Sequence, residues 1–357
     1  MRIEGVPVAS AFLSPIALIA ACALPGCDIY AGDIDGQDGV LSFYEPREYP
    51  ADSGSSVLGF ERPIALGARA DVWVLGPGLG TLEAAEIDAP EVVSVFFNSY
   101  PIELRAQSEG TTTLRVTASN GSDSLPLSVV GPAGAHVWVL STPPLFGKPD
   151  GYYGDGYALR PGATLRVAAE PRAGTTALLG FDLFEWSIDP ELLAHEADAR
   201  IVNTRRIEAL GQSGIARIAT QLGGDLEIAT LSAEDMPALK LYSFASDLNN
   251  PPEITEIAPN DVDGFVLVGN DAAGRYVQPS TQDHLTFAAA ITDGSVVLLD
   301  AELSDRYVSL RACAGVGTLQ ISYIGAERSV PIEVTPDVAD ESCPSSVQLP
   351  HPALRPR

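Results

Sequence analysis

Lysine is almost missing from this chain: of 21 basic residues only Lys148 and Lys240 are lysines, against 47 Asp and Glu, for a formal net charge of −26. So acidic a surface repels phosphate backbones, whose binding depends on neutralisation by Lys and Arg. It also offers no basic patch to anionic headgroups. Nucleic acid is therefore not an expected partner. Cysteine is scarce, four in 357 residues, too few for a disulfide scaffold. Histidine occurs only as His136, His195, His284 and His351, and no two fall at the HxH or HExxH spacing that seats zinc. The sequence contains no G-x-S-x-G elbow and no glycine-rich phosphate loop carrying a Lys. Paired carboxylates are too common here for spacing to single out an acid/base pair. No enzymatic activity, cofactor or metal is expected.

Long apolar runs are missing too, apart from one near the start. Ala11 to Ala23 spans 13 residues, broken only by Ser14 and Pro15. That fits the ~7–15 residues of a secretory signal core and falls short of the ~20 that span a bilayer. Arg2 is its basic flank, and Leu24-Pro25-Gly26-Cys27 ends it before an acidic segment. A cysteine preceded by small residues and a Leu resembles the lipobox of bacterial lipoprotein signals. The resemblance implies that residues 1–26 are removed and that Cys27 carries the lipid. The expected location is then a bacterial envelope membrane, at the outer membrane, cell surface or periplasmic face, with the membrane as a partner through the anchor. Ile19-Ala20-Ala21-Cys22 fits the same pattern by residue type, and an ordinary cleaved signal without lipid is a third reading. Cysteine arithmetic favours Cys27, because Cys313 and Cys343 then remain as an even pair, whereas lipid on Cys22 strands a thiol at Cys27.

Comparing the chain with itself reveals a repeat. Ile102-Glu-Leu-Arg-Ala-Gln-Ser-Glu-Gly110 precedes Leu114 and Val116; Ile207-Glu-Ala-Leu-Gly-Gln-Ser-Gly214 precedes Ile218; Val308-Ser-Leu-Arg-Ala-Cys-Ala-Gly315 precedes Leu319 and Ile321. The turn glycines lie 104 and 101 residues apart. Each copy closes with a second alternating run, the period-two signature of an antiparallel hairpin with one face in a core. Upstream, Ala65-Leu66 through Val74 aligns without a gap to Ala158-Leu159 through Val167, and the third unit is expected to place Leu285 and Phe287 there. With 33 Gly and 28 Pro, long helices are not expected, and Pro190 to Ala199 reads as a turn or short helix.

Short alternating strands at this density argue an all-β chain of three β-sandwiches in tandem. The order of signals resembles the bacterial Ig-like modules of invasin- and intimin-type surface proteins, which implies an Ig-like fold for each unit. The expected organisation is a signal over 1–26, an acidic tether over 27–39, Ig-like domains over 40–132, 133–236 and 237–335, and a Pro-rich tail over 336–357. Short linkers suggest a stiff rod.

Few residues stand out as functional. Asp33-Ile-Asp35-Gly36-Gln-Asp38-Gly39 has the oxygen density of a calcium loop but no Gly at the sixth position, and Tyr44 stands where the twelfth-position Glu belongs. A solvated spacer is the plainer reading. Tyr152, Tyr153, Asp155 and Tyr157 combine aromatic contact area with glycines, as binding loops do, or pack at a sandwich end. Trp73, Trp138 and Trp186 read as core. Cys313 and Cys343 are expected to form a disulfide. The functional expectation is a non-catalytic binding or adhesion protein with a protein or glycan partner. A structural spacer or accessory subunit of an envelope complex is the alternative, and an unrecognised enzyme or inhibitor the second.

Overall fold

Alternation along each strand sends one set of side chains inward and the other to solvent. In the computed structural model, the described residues are 34–45, 60–76, 80–98, 100–119, 121–140, 156–198, 201–243, 253–259, 264–304, 307–336, 338–340 and 343. The first sandwich contains β1 (Ile34–Asp35), β2 (Ser42–Tyr44), β3 (Ile64–Ala65), β4 (Arg69–Leu75), β5 (Leu82–Ile87), β6 (Val93–Phe96), β7 (Ile102–Ala106), β8 (Gly110–Ala118) and β9 (Gly121–Val130). One sheet runs β1-β2-β4-β7-β6 and the other β3-β9-β8-β5.

The second sandwich contains β10 (Gly134–Leu140), β11 (Tyr157–Leu159), β12 (Thr164–Ala173), β13 (Thr176–Ala177), β14 (Trp186–Ile188), β15 (Leu193–Ala197), β16 (Thr204–Ala209), β17 (Gly214–Thr220) and β18 (Gly223–Thr230). The third contains β19 (Ala238–Ser243), β20 (Phe265–Asn270), β21 (Tyr276–Gln278), the single helical turn α1 (Thr281–His284), β22 (Ala288–Gly294), β23 (Val297–Ser304), β24 (Tyr307–Cys313), β25 (Gly315–Tyr323) and β26 (Ala326–Val334).

All three share one plan. An opening strand (β2, β10 or β19) pairs antiparallel with β4, β12 or β20. The chain then crosses to the other sheet and runs parallel to the closing strand: β3 beside β9, β11 beside β18, and Ile257 bridged to Ile332 of β26. A strand that switches sheets in this way, within two packed antiparallel sheets, is the Ig-like arrangement. The repeat positions Leu114, Ile218 and Leu319 are each 0 % exposed, one in each core.

The recurring glycine has a packing cause. An ideal Cβ on Gly110 would sit 3.2 Å from Val92, on Gly214 2.9 Å from Leu192, and on Gly315 2.5 Å from the backbone of Val296. These three neighbours hold the same place, just ahead of β6, β15 and β23. At Gly110 a φ of 148° adds a backbone reason for the missing side chain.

The sandwiches are joined by lent strands. Past β13, Leu179 lies parallel to Ile64 of the first sandwich, with Ala65 N–H donating to Leu179 O at 2.8 Å and Leu179 N–H to Pro63 O at 2.8 Å. Leu178 and Leu179 are buried in the first core. The third sandwich repeats the device on the second: β21 runs parallel to β11, and Arg160 N–H donates to Gln278 O at 3.2 Å. Ion pairs back both junctions: Arg62–Glu170 at 3.3 Å and Arg69–Asp182 at 2.9 Å at the first, Arg160–Asp283 at 3.4 Å at the second.

Three expectations change. Leu285 is not a core strand residue: it caps α1 and is 75 % exposed. The third-unit counterpart of Val72 and Leu165 lies on β20, where Phe265 and Leu267 are buried, because a longer loop had shifted the alignment downstream. From Pro190 on, the expected turn is present at Asp189-Pro190, but Leu193–Ala197 then forms an edge strand on β16 with only Leu193 buried, and Ala199 lies outside the described residues. Residues 34–39, expected in the tether, are built into the first sandwich through β1 and the turn that follows it.

Candidate functional site

The expected binding loop divides. Tyr152, Tyr153 and Asp155 lie outside the described residues, as do Cys22, Cys27 and the tail from Pro344. Tyr157 is half-buried on β11, in register with Tyr276, and the two rings meet edge to face at 6.0 Å. It packs at the junction between the second and third sandwiches.

Cys313 and Cys343 form a disulfide with Cα atoms 5.5 Å apart, within the ~7 Å such a bridge allows. Arg311 pairs with Asp340 at 2.8 Å and Asp340 N–H donates to Ala312 O at 3.0 Å, so the segment after β26 is held against β24.

Among the described residues no group of three or more His, Cys, Asp or Glu could hold a metal ion. His136 stacks on Trp138 at 5.0 Å between centroids, and His284 lies beside Tyr323 at 5.8 Å. Ser213 donates to Asp235 at 2.5 Å, and Ser232 donates to the same carboxylate through N–H and Oγ. These bonds, the Ser213 one foremost, hold the Asp235 carboxyl below its usual range. The set fixes a turn.

The acidic segment has a different anchor from the one its sequence suggests. Asp123 on β9, 3 % exposed, accepts backbone N–H groups from Asp38 at 2.9 Å, Val40 at 2.7 Å, Leu41 at 2.9 Å and Ser124 at 2.7 Å. Burial raises this carboxyl, but the four N–H donors outweigh it and hold the pKa below the usual carboxylate range. The loop is thus closed by one carboxylate from the sandwich.

A surface that sequence reading missed lies on the outer face of the β2-β4-β7-β6 sheet. In β4, Ala70, Val72 and Val74 point inward, which turns Trp73 outward, 39 % exposed. Tyr44 stands opposite it in register, with ring centroids 5.8 Å apart, and Tyr100 approaches from the other side at 6.0 Å. Tyr100 is 42 % exposed, and Phe96 on β6 is 49 % exposed beneath the Arg105 guanidinium at 5.4 Å. Glu103 ties the polar part together through Arg69 and Arg105. Burial raises its carboxyl, and the two arginines overcome that and keep it low. Tryptophan, tyrosine, phenylalanine and arginine are the residue types enriched at protein interfaces. The signal was legible in Arg69-Ala-Asp-Val-Trp-Val-Leu75, where alternation puts Trp73 out of phase with the buried residues. Trp186 is half-buried and packs against the second core, while Trp138 is half-buried outside it.

No family model matches the sequence, and no curated protein matches it. Among solved structures, the chain is similar to FdeC, a broadly conserved Escherichia coli adhesin, with 11 % identity over 86 % of this chain and 99 % of that one at a TM-score of 0.24. Invasin, a bacterial integrin-binding protein, gives 10 % identity over 83 % and 60 % of the two chains at 0.19. An endo-fucoidan hydrolase of glycoside hydrolase family 107 gives 14 % over 76 % and 42 % at 0.23. An adhesin and a hydrolase score alike, so the likeness carries no argument about function.

Proposed function

We propose that this chain is a non-catalytic envelope protein, anchored by lipid on Cys27, that binds a protein or glycan through the aromatic face of its first sandwich. The observation that carries the reading is the exposed Trp73–Tyr100–Phe96 set on an otherwise acidic chain. Large aromatic side chains left in water on a rigid sheet supply contact area with little conformational entropy to lose. Tyr152, Tyr153 and Asp155 are a second candidate contact. The lent-strand junctions favour a spacer role as a second reading, since they tie three sandwiches into one body.

The test pairs location with binding. Intact-mass analysis of membrane-extracted protein is expected to find an N-terminal Cys27 carrying lipid; a soluble chain starting elsewhere overturns the anchor. Purified protein on a glycan array and a panel of extracellular-matrix proteins is expected to bind at least one probe. The Trp73→Ser/Tyr100→Ser double variant should lose about tenfold or more in affinity with the melting temperature unchanged. Unchanged binding by that variant overturns the role of this face, and absence of binding to every probe leaves the spacer reading in its place.

A further inference from the structure

The two junctions show what the parallel edge strand of each sandwich is for. In the first sandwich the outward N–H of Ala65 donates to Leu179 O, and in the second that of Arg160 donates to Gln278 O. Ile64 and Leu159 precede them, each paired parallel with its own closing strand, β9 or β18. In the third sandwich the same place is held by Ile257, bridged parallel to Ile332, with Ile257 N–H donating to Pro331 O at 2.8 Å and Ile257 O accepting from Glu333 N–H at 3.0 Å. The residue after it, Ala258, therefore presents the equivalent outward N–H. It has no hydrogen-bond partner among the described residues. An unpaired edge of this kind is a template for another strand.

Charge separates this edge from the two that are filled. At both internal junctions the arginine belongs to the accepting sandwich and the acid to the lending one: Arg62 with Glu170 of β12, Arg69 with Asp182, Arg160 with Asp283. At the third edge neither Arg62 nor Arg160 has a counterpart: Thr255 and Ala258 stand, relative to Ile257, where those two stand relative to Ile64 and Leu159. Glu253 is already occupied by Arg328 at 2.8 Å and Lys240 at 4.0 Å, while Glu256 is exposed with no ion pair among the described residues. A segment that brings an acid beside Glu256 finds no arginine to receive it and meets repulsion.

We propose that the Glu256–Ala258 edge of the third sandwich is a docking site for an extended segment of a partner protein. The segment adds as a parallel strand and carries Lys or Arg opposite Glu256. Main-chain hydrogen bonds supply the affinity and the basic side chain the selectivity, as in strand addition generally. The site lies apart from the aromatic face and goes beyond the reading given to it.

Amide hydrogen exchange on the purified full chain tests this, using as probes an acetylated, amidated Lys-Val-Lys-Val-Thr-Val peptide and its Glu-Val-Glu-Val-Thr-Val counterpart. In free protein, Ala258 N–H is expected to exchange about a hundredfold or more faster than those of Ala65 and Arg160. The basic peptide should slow it about tenfold, and the acidic one should not. Glu256→Lys should reverse that preference, and Ala258→Pro, which removes the donor, should abolish peptide binding. A protected Ala258 in free protein, which includes coverage by the chain's own tail or by a second copy, overturns the proposal. So does failure of the basic peptide to bind, or equal protection by both peptides. Trp73 and Tyr100 are untouched throughout, so failure here leaves the test of the aromatic face standing.

Discussion

Replacing Asp123 isolates the contact that fastens the N-terminal segment to the first sandwich. Four backbone N–H groups converge on its carboxylate, and those of Leu41 and Ser124 do so in buried surroundings. A hydrogen bond to a charged group contributes about 1.5–3 kcal/mol. Asp38 and Val40 regain water when released, so the two buried bonds set the scale, a loss of about 3–6 kcal/mol in Asp123→Ala. Asp123→Asn should lose nearly as much, because its amide nitrogen turns a donor toward N–H groups that are donors themselves. The loss should be local. Amide exchange at Asp38, Val40 and Leu41 accelerates while Ile218 and Leu319 stay protected. The pH dependence follows from the depressed carboxyl: the contribution is fully present above the unfolded value of about 3.9 and disappears as pH falls through the lower folded value. Unchanged exchange at Leu41 in Asp123→Asn would refute the reasoning, as would a loss of protection that begins near neutral pH.

Other expected outcomes follow from the cores and the bridge. Truncating Leu114, Ile218 or Leu319 to Ala should each cost about 2–5 kcal/mol by denaturant unfolding, with the melting transition of the affected sandwich falling first. Gly315→Ala should destabilise the third sandwich, because the added methyl meets the Val296 backbone at 2.5 Å, and exchange of the β25–β26 amides reads the effect. Reducing the Cys313–Cys343 bridge should remove about 3–4 kcal/mol in the chain-entropy model, seen as a drop in melting temperature under reductant that Cys313→Ser reproduces.

The closing hairpins were legible because both of their strands are long and alternate cleanly around a glycine that tolerates no side chain, as Gly315 shows against Val296. The opening strands were harder. Each is short and switches sheets, so Ile257 contributes one bridge instead of a run, and the eye moves on to Leu285 and Phe287. The Asp189-Pro190 turn hid an edge strand whose outward residues carry no apolar period. Nothing local marks Asp123 as the anchor of a loop more than eighty residues earlier. Trp73 is readable as outward from its strand's alternation, whereas its strand context alone reads as core. The lent strands at the junctions depend on contacts between units, which a repeat compared only with itself does not display.

The claim on which the rest depends is that lent strands join three Ig-like sandwiches into one body. Backbone N–H residual dipolar couplings measured on the weakly aligned full chain test it directly. The account predicts that couplings from all three sandwiches fit a single alignment tensor. Three independent tensors, or couplings in one sandwich averaged well below the others, would contradict it.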